Sequence, residues 1–239
     1  MESVIRTLKG SDLMEKLEPL FHFKLFGYNI GITASVVTQW AIIVIIIMLC
    51  IYLTRNLKKI PSKKQNIVEI VVSSINSLVR DNMGEDYMDF VPLIGTMAIY
   101  LSFMNLTGFL GIKPPTGDYS VSIAIALITF FVVQAYAIKK VGVGHYFKGY
   151  AKPFAFILPI NLIERIMLPI SLSLRLFGNM VAGIVIIELI YESLGHLNGF
   201  AQLVIPIPVH LYFDLFDGII QMVIFVMLTM INIKVIAEH

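Results

Sequence analysis

The chain has 239 residues, 57% of them hydrophobic and 14% charged, with 18 basic residues against 16 acidic ones and a net charge of +2. A mean hydropathy of +0.83 excludes an ordinary soluble domain and marks an integral membrane protein, and so small a net charge excludes nucleic acid as a partner. The single cysteine, Cys50, lies inside an apolar run, which excludes an intramolecular disulfide and a cysteine-pair metal site, and no cofactor is expected.

Residues 1–30 carry Arg6, Lys9, Lys16 and Lys24 against Glu2, Asp12, Glu15 and Glu18 and read as an exposed, amphipathic, external lead-in, with no apolar core of the kind a cleaved signal peptide needs. Residues 31–239 read as a single polytopic membrane domain. From about Ser35 to Thr54 the chain is apolar enough for one spanning helix, and Arg55, Lys58, Lys59, Lys63 and Lys64 follow it. By the positive-inside rule that cluster puts the end of the first span in the cytoplasm and the N-terminus outside. Between residues 65 and 82, Ile67, Ile70, Val71, Ser74, Ile75 and Leu78 recur at helical spacing, which predicts an amphipathic helix on the inner surface, with a re-entrant segment as the alternative. A second span covers roughly Phe90–Ile112, Lys113–Asp118 forms a tight external turn with Asp118 as a helix N-cap, and a third span covers about Ser120–Ile138. Lys139, Lys140, Lys148 and Lys152 mark a second cytoplasmic loop, in agreement with the first cluster.

Two apolar stretches remain, Phe154–Leu194 and Phe200–Ala237, and both are too long for one perpendicular crossing. About forty helical residues reach roughly 60 Å, against a hydrocarbon core of roughly 30 Å. They therefore kink, as Pro159, Pro169, Pro206 and Pro208 permit, or lie strongly tilted. Gly195–Gly199 reads as the turn between them, so they form an antiparallel hairpin whose C-terminus is cytoplasmic. The fold expected is an all-α integral membrane protein of about five membrane-embedded helices, the last two long, tilted and antiparallel, plus a surface amphipathic helix.

Arg175 is the anomaly in this pattern. A guanidinium keeps its proton inside a protein and costs about 2.5–3.5 kcal/mol at the centre of a membrane helix. Ser171, Leu172, Arg175, Gly178, Asn179 and Ala182 share one helical face, mostly small or polar, which suits close approach by another helix carrying an opposite charge. On the second long helix His210, Asp214, Asp217, Gly218 and Gln221 make a polar stripe. With the turn centred near Asn198, residues whose numbers sum to about 396 lie level, which sets Arg175 beside Gln221 and Asn179 beside Asp217. Glu188 lies toward the external end, so the carboxylates gather on one side of the arginine. Simpler roles exist for several of these residues. Asn179 and Gln221 read equally well as hydrogen-bond glue, His210 as an interfacial histidine, Asp118 as a cap, Glu188 as a solvated group at a helix end, and Met222, Met227 and Met230 as packing. Arg175, Asp214 and Asp217 are left as marks of an ion route.

A fixed cation at mid-membrane repels protons and metal cations, so Arg175 is a barrier to leakage. A carboxylic acid in lipid keeps its proton, but gives it up beside a guanidinium. Moving such an acid past Arg175 forces it to release an ion on one side and reload from the other, a step driven by about 2.3 kcal/mol per charge per 100 mV. The chain has no moving carboxylate of its own, so a partner must supply it. A self-contained transporter is disfavoured by the missing second acidic partner and the lack of inverted repeats. An intramembrane hydrolase is disfavoured because Asp214 and Asp217 lie on one helix with no nucleophile facing them.

The run Ser173-Leu174-Arg175-Leu176-Phe177-Gly178-Asn179-Met180-Val181-Ala182-Gly183 resembles the signature LRLFGN-x-x-AG of subunit a of the F-type rotary ATP synthase, bacterial type. Gln221 to Thr229 is similar to that family's Q-x-x-x-F-x-x-L-T, Pro115-Thr116-Gly117-Asp118 to its P-T/S-x-D, and Asn105 to Gly108 to its N-x-x-G. The match covers about residues 90–239, with the core signature in 154–237. The resemblance implies a stator channel in the bacterial inner membrane beside a ring of c subunits, with b-type peripheral-stalk subunits and the rest of the synthase as partners. It implies that Arg175 is the essential arginine facing the ring carboxylate, that Asn179 and Gln221 are its polar companions, and that the last two helices lie almost flat around the ring. It further implies a non-catalytic subunit that carries protons, or sodium ions, through two offset half-channels. Two positions depart from the pattern. Ile184 stands where many members have glutamate, with Glu188 as the expected substitute, and Asp214 stands where many have histidine or another polar group. Asp217 beside Asp214 suits sodium as well as protons, and Ser171, Asn161 and Glu164 are the candidates for the inner route.

Overall fold

The computed structural model describes residues 21–25, 28–55, 57–143, 158–195 and 205–238. Most of the lead-in, Lys148, Lys152 and the turn residues 196–199 lie outside the described residues. Among the described residues five helices are long and apolar enough to cross a membrane: Ala34–Thr54, Glu85–Leu110, Tyr119–Lys140, Leu158–Leu194 and Pro206–Ile236.

Before the first span, β1 (Phe21–Leu25) and β2 (Tyr28–Ile32) pair antiparallel, with Phe21 opposite Ile32 and Leu25 opposite Tyr28. This hairpin occupies part of the stretch expected as an amphipathic lead-in. Its signal is a period of two, Phe21, Phe23 and Leu25 alternating with His22 and Lys24. Helix α1 (Ala34–Thr54) has 21 residues, about 31 Å, the thickness of a hydrocarbon core. Most of its apolar side chains face outward and only Ile42 is buried, so the surface suits lipid. Its polar tie to the bundle is Tyr100, whose hydroxyl donates to Gln39 Oε1 at 3.2 Å.

Helix α2 (Lys63–Met83) is the expected amphipathic helix, capped by Ser62, whose Oγ accepts from the Gln65 N–H. Its C-terminal half buries Val79 and Met83, whereas Ile67, Ile70 and Val71 remain exposed. Gly84, at φ 102°, breaks the helix in a conformation that favours glycine. A 3-10 turn (Glu85–Phe90) leads into α3 (Val91–Leu106), and two further 3-10 turns, Gly108–Leu110 and Pro115–Gly117, build the loop to α4 (Tyr119–Val141). Asp118 caps α4, its Oδ1 accepting from the Ser120 N–H at 3.0 Å.

Helix α5 (Leu158–Gly195) runs unbroken for 38 residues with Pro169 inside it. At about 57 Å it exceeds the hydrocarbon thickness and fits only obliquely. The last helix, α6, is continuous from Pro206–His210 through a π-helical segment, Leu211–Asp217, into Gly218–Glu238. Two apolar clusters hold these helices together. One joins α2, α3, α4 and α6 through Val79, Ile94, Val133, Val226 and Met230, with Met222 and Met227 packed against it. The other joins α1, α3, α4, α5 and α6 through Ile42, Leu101, Ile125, Leu172, Leu176 and Phe225.

Candidate functional site

The second cluster fixes the rotation of α5. Leu172 and Leu176 are buried in it and Ser173 is buried beside them, with the Ser173 hydroxyl bonded to the Ile170 carbonyl. On a 3.6-residue helix this leaves Ser171, Leu174, Gly178 and Ala182 exposed and Arg175 half-buried. The space beside Gly178 is open, with nothing within 4 Å of where a Cβ would sit. Arg175 makes no hydrogen bond or ion pair with any described residue.

One turn on, Asn179 Nδ2 donates to Gln221 Oε1 at 2.6 Å. This contact corrects the register expected from the sequence, since it sets Asn179, rather than Arg175, level with Gln221. The slip of one turn arises because helix-to-helix register depends on the connection and on the π segment, neither of which has a periodic signature. Gln221 itself is buried at 2% exposure, and its Nε2 has no hydrogen-bond partner among the described residues.

A second polar centre lies about two turns away along α6. His210 Nδ1 and Asp214 Oδ2 are 2.6 Å apart, and Tyr191 Oη lies 3.3 Å from His210 Nε2, so a hydrogen-bonded chain links α5 to the π segment. Asp214 is buried because the 3-10 turn after α3 makes room for it. A Cβ at Gly108 would stand 2.8 Å from Asp214 Oδ1, closer than such atoms approach. Three residues earlier, Asn105 Nδ2 donates to the Gly218 carbonyl at 2.8 Å, where the π segment ends. Asn105 Cβ sits 3.0 Å from where a Cβ on Gly218 would be. Behind Asn105, the Thr116 hydroxyl makes a long contact of 3.5 Å with its Oδ1, and the Ser122 hydroxyl donates to the Thr116 carbonyl at 2.8 Å. All three are buried, so Asn105, Gly108, Thr116 and Ser122 form a polar clamp on the π segment.

The remaining candidates stand apart. Glu188 faces the loop between α3 and α4, its Oε1 3.9 Å from Lys113 Nζ in an exposed pair. Ile184, at the departing position, packs on the Pro115–Gly117 turn, its Cδ1 3.2 Å from where a Cβ on Gly117 would be. Asp217 is half-buried and makes no hydrogen bond or ion pair with a described residue. Asp118 serves as the α4 cap and lies outside the His210–Asp214 chain. Ser171 and Glu164 are exposed on the N-terminal part of α5, and Asn161 is half-buried there. Among the described residues no group of acidic, histidine or cysteine side chains could hold a metal ion.

Tyr191 and Ser122 escaped the sequence reading, and Thr116 entered it without a role. Tyr191 lies between Glu188 and Glu192, and its only sign is a hydroxyl three residues beyond Glu188 on the same face. Thr116 and Asn105 stand out only as motif letters, and Ser122 has no sequence signal at all.

The chain matches the family model described as ATP synthase A chain over residues 36–234. It is 35% identical over 227 residues to the ATP synthase subunit a of Trichlorobacter lovleyi, covering 93% of each chain. It is 34% identical over 217 residues to an ATP synthase subunit a 2 of Bradyrhizobium, covering 90% of this chain and 94% of that one. Against the sodium-ion-specific ATP synthase subunit a of Propionigenium modestum the identity is 31% over 223 residues, 87% of this chain and 75% of the relative.

Proposed function

The chain belongs to the ATP synthase A chain family, and from that premise we propose that it is the stationary ion channel of the membrane sector, carrying protons or sodium ions to and from carboxylates on a turning ring of c subunits. It works beside b-type stalk subunits and the rest of the synthase in a bacterial inner membrane, with its N-terminus outside and its C-terminus in the cytoplasm. It catalyses no bond chemistry itself. The observation that carries this reading is Arg175, a cation with no counter-ion among the described residues, on a face left open at Gly178. An uncompensated guanidinium in a membrane is costly, and a ring carboxylate is the group that would offset it.

The residues then divide the work. Arg175 blocks direct ion passage and holds the passing carboxylate ionised. Asn179 and Gln221, joined at 2.6 Å one turn beyond it, tie α5 to α6 there. Asp214, His210 and Tyr191 supply a hydrogen-bonded relay for the external half-channel, with Asp217 further along α6 and Glu188 and Lys113 at its mouth. Ser171, Asn161 and Glu164, on the opposite side of Arg175 along α5, serve the internal half. The sodium reading draws on the acid pair Asp214 and Asp217 and on the similarity to a sodium-specific relative. The test is ATP-driven pumping in membranes that hold the whole complex, with Arg175→Ala compared to the unaltered chain in proton-only and sodium-containing buffers. Pumping falls to background in the variant if the reading is right, and pumping at the normal rate contradicts it.

A further inference from the structure

At the basic end of α1 lies a cavity of about 350 Å³ that shares no residue with the proposed ion path, lined by Tyr52, Arg55, Leu57, Ser62, Lys64 and Gln65. Its lining contains two cations and no acid. Lys64 Nζ donates to Tyr52 Oη at 2.6 Å and lies 4.8 Å from the centre of that ring, which fixes the ammonium at the cavity wall. Gln65 holds the loop above it in place. Its Oε1 accepts from the Lys58 N–H and its Nε2 donates to the Lys58 carbonyl, both at 2.9 Å, so the cup is formed before anything enters it. Lys58, Lys59 and Lys63 add positive charge around the rim.

The depth of the cavity narrows what it would take. Helix α1 is as long as the hydrocarbon layer is thick, so its last turn, with Tyr52 and Arg55, ends at the level of the headgroups. Below the cavity the outward face of α1 continues as exposed Met48 and Ile51, a surface for acyl chains. A guanidinium, an ammonium, a phenol and a serine hydroxyl converging at headgroup level match a phosphate ester, and an arginine pairs with its oxygens in a fork. We infer that this cup binds the phosphate of an anionic phospholipid, with the acyl chains laid along α1. The inference needs only that α1 crosses the membrane, so it stands or falls independently of the ion path.

The experiment is lipid retention by native mass spectrometry of the assembled complex in nanodiscs, comparing phosphatidylglycerol with phosphatidylcholine. Three chains are compared: the unaltered one, Arg55→Gln/Lys64→Gln, which removes the lining cations, and Lys58→Gln/Lys59→Gln, which removes the same charge from the rim. The expected result is preferential retention of phosphatidylglycerol by the unaltered chain and the rim variant, weakened about tenfold or more in the lining variant. Equal loss in both variants reduces the effect to net charge and overturns the site. Displacement of the lipid by inorganic phosphate assigns the cup to a soluble anion and overturns the lipid. Retention that appears only when this chain is purified away from its partners means that a partner's acidic segment fills the cup, and also overturns it. Pumping by the lining variant stays at the normal rate in each case, so this outcome is separate from the Arg175 test.

Discussion

Helices α5 and α6 both bring charge into the apolar interior, and the structure treats the two charges in opposite ways. On α6 the Asp214 carboxylate is closed over: Gly108 yields space to it, His210 lies 2.6 Å away, and Asn105 grips the carbonyl behind it. On α5 the Arg175 guanidinium is left half-open, with bare space beside Gly178 and no counter-ion among the described residues. The contrast separates two kinds of polar group. On the function proposed above, Asp214 is a fixed relay residue satisfied within its own chain, while Arg175 is left for a moving partner to complete.

Glycine substitutions break this comparison most sharply. Gly108→Ala forces a methyl into contact with the Asp214 carboxylate, and overpacking of this kind costs about 1–3 kcal/mol. The solubilised chain is expected to melt several degrees lower and the complex to pump slowly. Gly178→Ala meets open space in the isolated chain, so its melting temperature holds while pumping in the complex falls as the ring is pushed away. Equal melting losses at both positions would erase the distinction. Next in size is Asn105→Ala, which frees the buried Gly218 carbonyl at a cost of about 1–2 kcal/mol in thermal or denaturant unfolding, with Asn105→Asp no better because it removes the donor. A smaller effect belongs to the Asn179–Gln221 pair. A double-mutant cycle with alanine at each position should give a coupling of roughly 0.6–1.7 kcal/mol, the range for membrane hydrogen bonds, and a coupling of zero would show that the contact carries nothing. The least effect is expected from Glu188→Gln. An exposed pair is worth at most about 1 kcal/mol, so the pumping rate should drop a few-fold at low ion concentration with stability unchanged. A rate unchanged in vesicles would remove Glu188 from the path.

Much of the architecture was legible in the chain because lipid imposes simple rules. Long apolar runs mark the spans, and Arg175, near the middle of one of them, is conspicuous by its cost. The stripe of His210, Asp214 and Gln221 could be grouped on one face because spacing of three and four holds within a helix. What spacing could not supply is the relation between helices. The Asn179–Gln221 contact lies one turn from the expected level, since the connection and the π segment set that offset. The clamp of Asn105, Thr116 and Ser122 joins one stretch of the chain to a backbone carbonyl 113 residues beyond Asn105, and a carbonyl has no letter. The β1–β2 hairpin did leave a trace in its alternating residues, which the mixed charge of the first thirty residues obscured.

The central claim is that the open face of α5 meets a helix of another subunit. It is tested most directly by placing a cysteine at Gly178, in a chain with Cys50→Ser, and oxidising membranes in which cysteines are scanned along the outer helix of the ring subunit. The account predicts a disulfide between position 178 and the ring, strongest near the level of the ring carboxylate. A cysteine at 178 that forms no disulfide with any ring position and reacts freely with a lipid-soluble thiol reagent would contradict it.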